Sequence, residues 1–393
     1  LSLLKAALKL CFLVFFLWSC AGHRGFSVKK KASIGGTLQE FTLTDKKGLI
    51  LGKVNSFKKP LLHEVGGGDY KIEVPLMLGG TVRCTVKSKY SPPGLWISSF
   101  IQKLKEKSGK VKIGKINAGV LNQWPYLYSE VAYFGKKITS GTVKVIGITK
   151  GENSFLCLHT EIKGDKSFKR VVRDLITSFK SNKKYEGEFI KSHVDITSIK
   201  KSNVGFIFKE IYKNKKGHFV TITRTSLIFP KDKKRKSLKG IYDIHIEMSD
   251  KGGTYLGGSY LGYENLKRKY KINVIPSNEK KYFVKGVVAG KKIKKSFEIE
   301  GFLITSIGQE KIFKGINKKS KKLLVFYDYI PSINPLKIFK SKLIHKGKDK
   351  EGLNLFDLNL DKTQFKIKVD QKGHPIYSSS RLGKVFIENR RVF

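Results

Sequence analysis

The sequence predicts an α+β chain: an antiparallel α/β sandwich followed by a larger β-rich unit, either a curved sheet or an open barrel. Three observations carry that expectation. Short segments with two-residue alternation of polar and apolar side chains run through most of the chain. Two segments, residues 95–106 and 167–180, instead repeat apolar residues at helical spacing. After Ser181-Asn182-Lys183-Lys184 the helical texture stops and strand follows strand. At 393 residues, 40% hydrophobic and 11% aromatic, the chain has material for two cores of ordinary size.

The chain opens LSLLKAALKLCFLVFFLWSC, in which Lys5 and Lys9 precede an apolar run over residues 10–18. These are the charged and hydrophobic regions of an export signal. The run falls short of the ~20 apolar residues that span ~30 Å of hydrocarbon, so a retained transmembrane helix is the weaker reading. Leu17-Trp18-Ser19-Cys20 then resembles the lipobox of bacterial lipoproteins, with Trp18 bulkier than the usual occupant of its position. The resemblance implies residues 1–19 as a signal peptide, cleavage before Cys20, a thioether-linked diacylglycerol on its sulfur and an acylated amino end. Each buried CH₂ contributes ~0.8 kcal/mol, so two or more chains anchor stably where one binds reversibly. In such lipoproteins an aspartate after the cysteine commonly marks inner-membrane retention; Ala21 here points to the outer membrane, on its periplasmic or surface face. Leu1 in place of methionine fits an alternative start codon or a sequence that begins inside a longer one.

Residues 20–34 read as a polar, basic tether, and the first folded unit as residues 35–181. Extended stretches are expected at 38–43, 49–51, 70–74 and 81–86. Ser91-Pro92-Pro93 supplies a helix start, followed by Trp96, Phe100 and Leu104 at four-residue steps. Strands at 111–114, 127–133, 141–150 and 154–162 follow, the last after the turn Gly151-Glu152-Asn153. The helix over 167–180 aligns Phe168, Val171, Val172, Leu175, Ile176 and Phe179, with Asp165 in its cap region. This turn, strand SFLCLHTEI and phenylalanine-led helix are similar to the C-terminal part of PsbP/Mog1/DcrB-like domains. That similarity implies an antiparallel sheet with helices in a periplasmic or lipid-anchored protein, without catalytic residues.

Residues 185–393 read as an all-β unit with strands at 185–189, 204–212, 217–228, 240–247, 269–275, 281–288, 294–302, 322–329, 338–344, 364–369 and 384–387, and no long helix. The segments YEGEF (185–189), VGFIFKEIY (204–212), YDYIPSINP (327–335) and VDQKGHPI (369–376) resemble DUF3108-like periplasmic β domains, some of which sit beside transglutaminase-like modules. Nothing matches the Cys-His-Asp core of a transglutaminase, so the resemblance implies no activity.

The charge is extreme: 79 Lys and Arg against 31 Asp and Glu, net +48. Such a surface attracts polyanions in general, including phospholipid headgroups. Of the basic residues 69 are lysines spread along the whole chain, whereas readers of nucleic acid place arginine forks and aromatic platforms at defined points, so nucleic acid is not an expected partner. The run from Lys231 to Lys236 reads as an exposed hairpin loop whose Lys233, Lys234, Arg235 and Lys236 are candidates for contact with an anionic membrane.

Cys84 and Cys157 are either a disulfide pair or two small buried hydrophobes. His159 shares a strand face with Cys157, but a Cys-His pair without an orienting third group is a thin basis for catalysis. His245 and Glu247 share another strand face and read as solvent-facing. The repeated Tyr-Leu-Gly at 255–257 and 260–262 reads as an irregular edge or bulge. No phosphate loop, zinc-protease helix or serine elbow is present, so no catalytic residue, metal or cofactor is expected. The resulting expectation is a noncatalytic, membrane-anchored envelope lipoprotein that binds an envelope protein or an amphiphilic ligand. The alternatives are a polyanion-binding surface protein and an envelope hydrolase or cell-wall-modifying enzyme. The enzyme's pocket would have to gather distant residues such as His159, His245 or His374 with carboxylates.

Overall fold

The computed structural model describes residues 37–76, 80–135, 139–160, 165–180, 186–231, 236–278, 280–316, 323–361, 363–382 and 385–393. Alternation organises the first strands. In β1 (Gln39–Thr44) and β2 (Ile50–Ser56) the buried Leu43, Leu51 and Val54 join one core, and the two strands pair antiparallel with a register shift at Leu51. Next come β3 (Leu61–Gly66), β4 (Asp69–Pro75), β5 (Thr81–Lys87), helix α1 (Pro93–Ser108), β6 (Lys110–Leu121), β7 (Trp124–Phe134), β8 (Gly141–Lys150), β9 (Asn153–His159) and helix α2 (Asp165–Ser178). The seven strands form one antiparallel sheet in the order β3-β4-β5-β9-β8-β7-β6.

This sheet is covered on both faces, which explains why β8 is buried continuously over residues 143–149, Lys144 and Thr149 included. Ile146 and Ile148 join a core under α2 with Phe155, Phe168, Val171, Leu175 and the Cys84–Cys157 pair. Val143 and Val145 join a second core under α1 with Ile97, Ile101, Leu127 and Val131. Pro93 occupies the first turn of α1, where a missing N–H costs nothing, and Gly109 at φ 84 ends the helix. The end of α2 is tied to β2: the Lys180 N–H donates to the Leu51 carbonyl at 2.7 Å, and the Ser178 hydroxyl accepts from the Lys53 N–H at 2.7 Å.

The rest of the chain builds a much larger sheet. Its strands are β10 (Glu188–Ile199), β11 (Ser202–Lys213), β12 (Phe219–Pro230), β13 (Leu238–Ser249), β14 (Tyr255–Glu264), β15 (Lys267–Pro276), β16 (Lys281–Val288), β17 (Lys291–Glu298) and β18 (Leu303–Ile304). Helix α3 (Ser306–Ile316) follows, then β19 (Leu323–Asp328), β20 (Phe339–Lys348), β21 (Asn354–Leu360), β22 (Thr363–Val369), β23 (Pro375–Leu382) and β24 (Val385–Arg391). Strands β10 to β17 form one antiparallel meander and β19 to β24 another. β24 pairs with β10, Asp195 opposite Arg391, and this seam joins them into a single fifteen-stranded sheet. β18 adds to β19 in parallel, and β17 and β18 remain the two ends, so the sheet is open. The chain is therefore α+β, a smaller helix-and-strand region followed by a larger open β-sheet, as the sequence pattern predicts. Other details differ from the expectation: β3, β21 and β23 lie in stretches where no strand is expected. α3 is an 11-residue helix inside the stretch read as all strand. The Tyr-Leu-Gly echo forms β14, whose register shifts against each neighbour match the irregular, bulged alternative, whereas its place inside the sheet overturns the edge alternative.

The smaller sheet lies wholly before α2 and the larger wholly after it in the chain, yet the two share a core. Val194, Phe206, Phe208, Ile228 and Tyr242 of the large sheet pack with Ile97, Ile101 and Val111 of the smaller region. Polar contacts span the same layer: the Gly94 N–H donates to Ser226 Oγ at 2.9 Å, and Ser98 Oγ and Tyr242 Oη lie 2.7 Å apart. Arg224, 2% exposed, pairs with Glu210 on β11 and reaches Glu152, in the turn before β9, at 2.6 Å.

Candidate functional sites

Leu17, Trp18, Ser19 and Cys20 lie outside the described residues, as do Lys233, Lys234 and Arg235. Lys236 is described and exposed, just before β13. Cys84 and Cys157 are directly opposed across β5 and β9 and form a disulfide. Cys157 is thus no free thiol beside His159, which is buried and stacked on Phe168 at 5.7 Å. His374 lies elsewhere, its Nδ1 3.3 Å from Asp370 Oδ2 and its Nε2 4.0 Å from Glu310. The three histidines therefore do not converge. Among the described residues no group of three or more His, Cys, Asp or Glu side chains is placed to hold a metal ion.

Lys236 lines a groove of about 510 Å³ between α1 and the start of β13 with the neighbouring β14–β15 turn. The groove exists because the shared core brings α1 against β13. Its apolar wall comes from Ile101 on α1, Leu238 and the Tyr242 ring on β13, and Leu266 in the β14–β15 turn. That turn is held by the Asn265 N–H donating to the Gly240 carbonyl at 3.2 Å. Its rim is polar and exposed: Gln102, Lys105 and Glu106 from α1, with Lys236 across from them. Gln102 donates to Glu106 at 3.2 Å. Such a groove has the size and the mixture of apolar wall and few polar groups typical of ligand sites.

A second concavity of about 300 Å³ opens on the other face of the large sheet. Cross-strand register places its residues. Lys209, Thr223, His245 and Tyr260 form one row across β11 to β14, with Ile207, Thr225 and Asp243 in the next row. The opposing wall comes from Ser306 and Gln309 of α3, with Asp328 and Tyr329 at the end of β19. His245 and Glu247 share a face, as their spacing predicts, but that face is interior, not solvent-facing. The Ser306 N–H and Oγ–H both donate to Glu247 Oε1, at 3.0 and 2.5 Å. Gln309 Nε2 and Ser341 Oγ donate to the two oxygens of Asp328, at 2.9 and 2.8 Å.

Burial dominates the electrostatics of this chamber. It raises Asp328 to about 7, against the Gln309 and Ser341 hydrogen bonds, with the Glu247 charge pushing the same way. It raises Asp243 to about 6, against a hydrogen bond from Thr225. It lowers His245, with Lys209 adding to the effect and Glu247 opposing it. Asp243 Oδ2 and His245 Nε2 are buried without a hydrogen-bond partner. The Ser306 hydroxyl is bonded to Glu247, and His245 Nε2 has no hydrogen-bond partner among the described residues. Sequence reading found the His245–Glu247 pairing through two-residue alternation; Asp243 carried the same signal, whereas Asp328 and Gln309 carried none.

No protein-family model and no curated protein sequence matches the chain. Among solved structures it is similar to a beta-barrel-like protein of domain of unknown function DUF1849 from Brucella abortus. The TM-score is 0.40 at 10% identity, covering 53% of this chain and 98% of that one. It is also similar to a protein from Bacteroides thetaiotaomicron VPI-5482, with a TM-score of 0.23 at 18% identity, covering 39% of this chain and 52% of that one.

Proposed function

We propose that the protein is a noncatalytic envelope lipoprotein, held on the outer membrane by acyl chains on Cys20, that binds an amphiphile with an anionic head. The observation that carries the ligand is the groove beside α1. Ile101, Leu238, Leu266 and Tyr242 offer an apolar wall, and Lys105 and Lys236 stand at its rim. Removing an alkyl chain from water against that wall supplies affinity at roughly 25 cal/mol per Å². The lysines select the head by charge, reduced by the nearby Glu106. The lipobox supports the anchor, and the net charge of +48 supports residence near an anionic surface.

Competition against a bound fluorescent fatty acid tests the ligand. Dodecyl phosphate is expected to displace it with at least about tenfold higher affinity than dodecyltrimethylammonium, which is about 1.4 kcal/mol. A Lys105→Gln/Lys236→Gln variant should erase the difference, and Ile101→Glu should abolish binding of both. Equal displacement by the two detergents in the unaltered protein, or binding unaffected by Ile101→Glu, rejects this reading.

A further inference from the structure

We infer that the chamber on the inner face of the large sheet is a second, separate binding site, which takes a small organic cation bearing N–H donors, a primary amine or a guanidinium. Three observations converge on that class. First, the charged side chains that face the space are Asp243, Glu247 and Asp328 against Lys209 alone. An anionic ligand would meet three carboxyl groups, and a cation meets a net negative wall. Second, the unmet demand is for donors. Glu247 is partnered by Ser306, and Asp328 by Gln309 and Ser341, but Asp243, 2% exposed, keeps Oδ2 buried with no partner. A carboxylate oxygen is an acceptor only, and ammonium and guanidinium groups are donors only, so the two are matched. A buried polar oxygen left unpaired is costly, and a ligand that supplies its donor recovers that cost. Third, Tyr260 and Tyr329 flank His245, their rings 6.4 and 5.7 Å from the imidazole, so two electron-rich rings line the same space as the carboxylates, and such rings attract cations.

The space, about 300 Å³, is at the small end for ligand sites and suits a fragment-sized cation. The site is independent of the α1 groove: they share no lining residue. Nothing in it requires a covalent step. Asp243 and Asp328 act as counter-charges, and His245, without a hydroxyl or thiol partner, contributes a neutral wall.

Matched probes of one size and three charges test it by calorimetry or ligand-observed NMR on the purified full chain at slightly alkaline pH. n-Butylamine and methylguanidinium are expected to bind; n-butanol should bind at least about tenfold more weakly, and butyrate not detectably. Asp243→Asn, nearly isosteric, should weaken the amine at least about tenfold. Lys209→Gln should strengthen it severalfold, a gain that a misfolded variant would not show. Butanol or butyrate binding as well as butylamine overturns the inference. So does an Asp243→Asn protein with unchanged amine affinity, a Lys209→Gln protein with no gain, or failure of both cations to bind at millimolar concentration.

Discussion

Arg224 is the side chain whose removal should be felt most. It sits on β12 between the two sheets, 2% exposed, with its guanidinium 5.0 Å from the Tyr90 ring centroid and 5.9 Å from that of Phe208. Its partners differ: Glu152 belongs to the smaller sheet's turn and is over a third exposed, whereas Glu210 is 3% exposed. Replacing Arg224 by Met fills much of the volume but leaves Glu210 buried without a counter-charge. Breaking a buried pair from one side typically costs about 3–5 kcal/mol. A ceiling comes from protonation. Neutralising a glutamate of reference pKa ~4.3 at pH 7 costs about 3.7 kcal/mol, so the chain escapes any larger electrostatic penalty by taking up a proton.

The expected loss for Arg224→Met is therefore about 3–4 kcal/mol at pH 7. The sign with pH follows from the same escape. The orphaned carboxyl in the folded variant would bind its proton more tightly than in the unfolded chain, so acid favours the folded variant. By pH 5 protonation costs only about 1 kcal/mol, and the gap from the unaltered protein should narrow to about 1–2 kcal/mol. Urea unfolding at both pH values measures this, and Arg224→Met/Glu210→Gln should recover most of the loss at pH 7. A single-variant loss under about 1 kcal/mol at pH 7, or a double variant no more stable than the single, would refute the reasoning.

Three further outcomes follow from the same structure. Replacing Cys84 and Cys157 by Ala should lower stability by about 2–4 kcal/mol, because the bond closes a span of 73 residues; reductant should move the urea midpoint of the unaltered protein alone. Gly94→Val should cost about 1–3 kcal/mol and loosen α1, since even a Cβ at this position would lie 2.6 Å from the Tyr242 ring and 2.8 Å from Ile228; circular dichroism and urea midpoints would report it. Asp328 is raised in the folded state to about 7, so its contribution is fully present below the unfolded value near 4 and is lost as pH rises through 7. Stability compared between pH 4.5 and 7.5 should therefore fall less in Asp328→Asn than in the unaltered protein, and parallel profiles would contradict the assignment.

Periodicity made much of the fold legible. The α2 stripe is buried under the spacing that predicts it, and β8, read as a strand, has Val143 and Val145 in one core and Ile146 and Ile148 in the other. What escaped was set by distant partners. β10 extends to Ile199, well past the expected 185–189, and its polar His193 and Thr197 are buried on the sheet. α3 carries Gly308, a poor helix former, because a Cβ there would lie 2.8 Å from the Gly253 carbonyl oxygen; its first turn is met by Glu247, 59 residues earlier. In β14 the glycines signalled the irregularity that its two register shifts show, but not their packing reason: at Gly258 the Tyr255 hydroxyl lies 2.3 Å from where a Cβ would stand. The chamber was half visible. Alternation aligned Asp243, His245 and Glu247, but whether their face met water or protein depended on Asp328 and α3, which no local pattern links to them.

Mass spectrometry of protein extracted from membranes tests the proposed lipid anchor. The N-terminal peptide is expected to begin at Cys20 and to carry a diacylglyceryl thioether, with a further acyl chain on its amino group. A mature chain that begins elsewhere, or an unmodified Cys20 thiol, would contradict it.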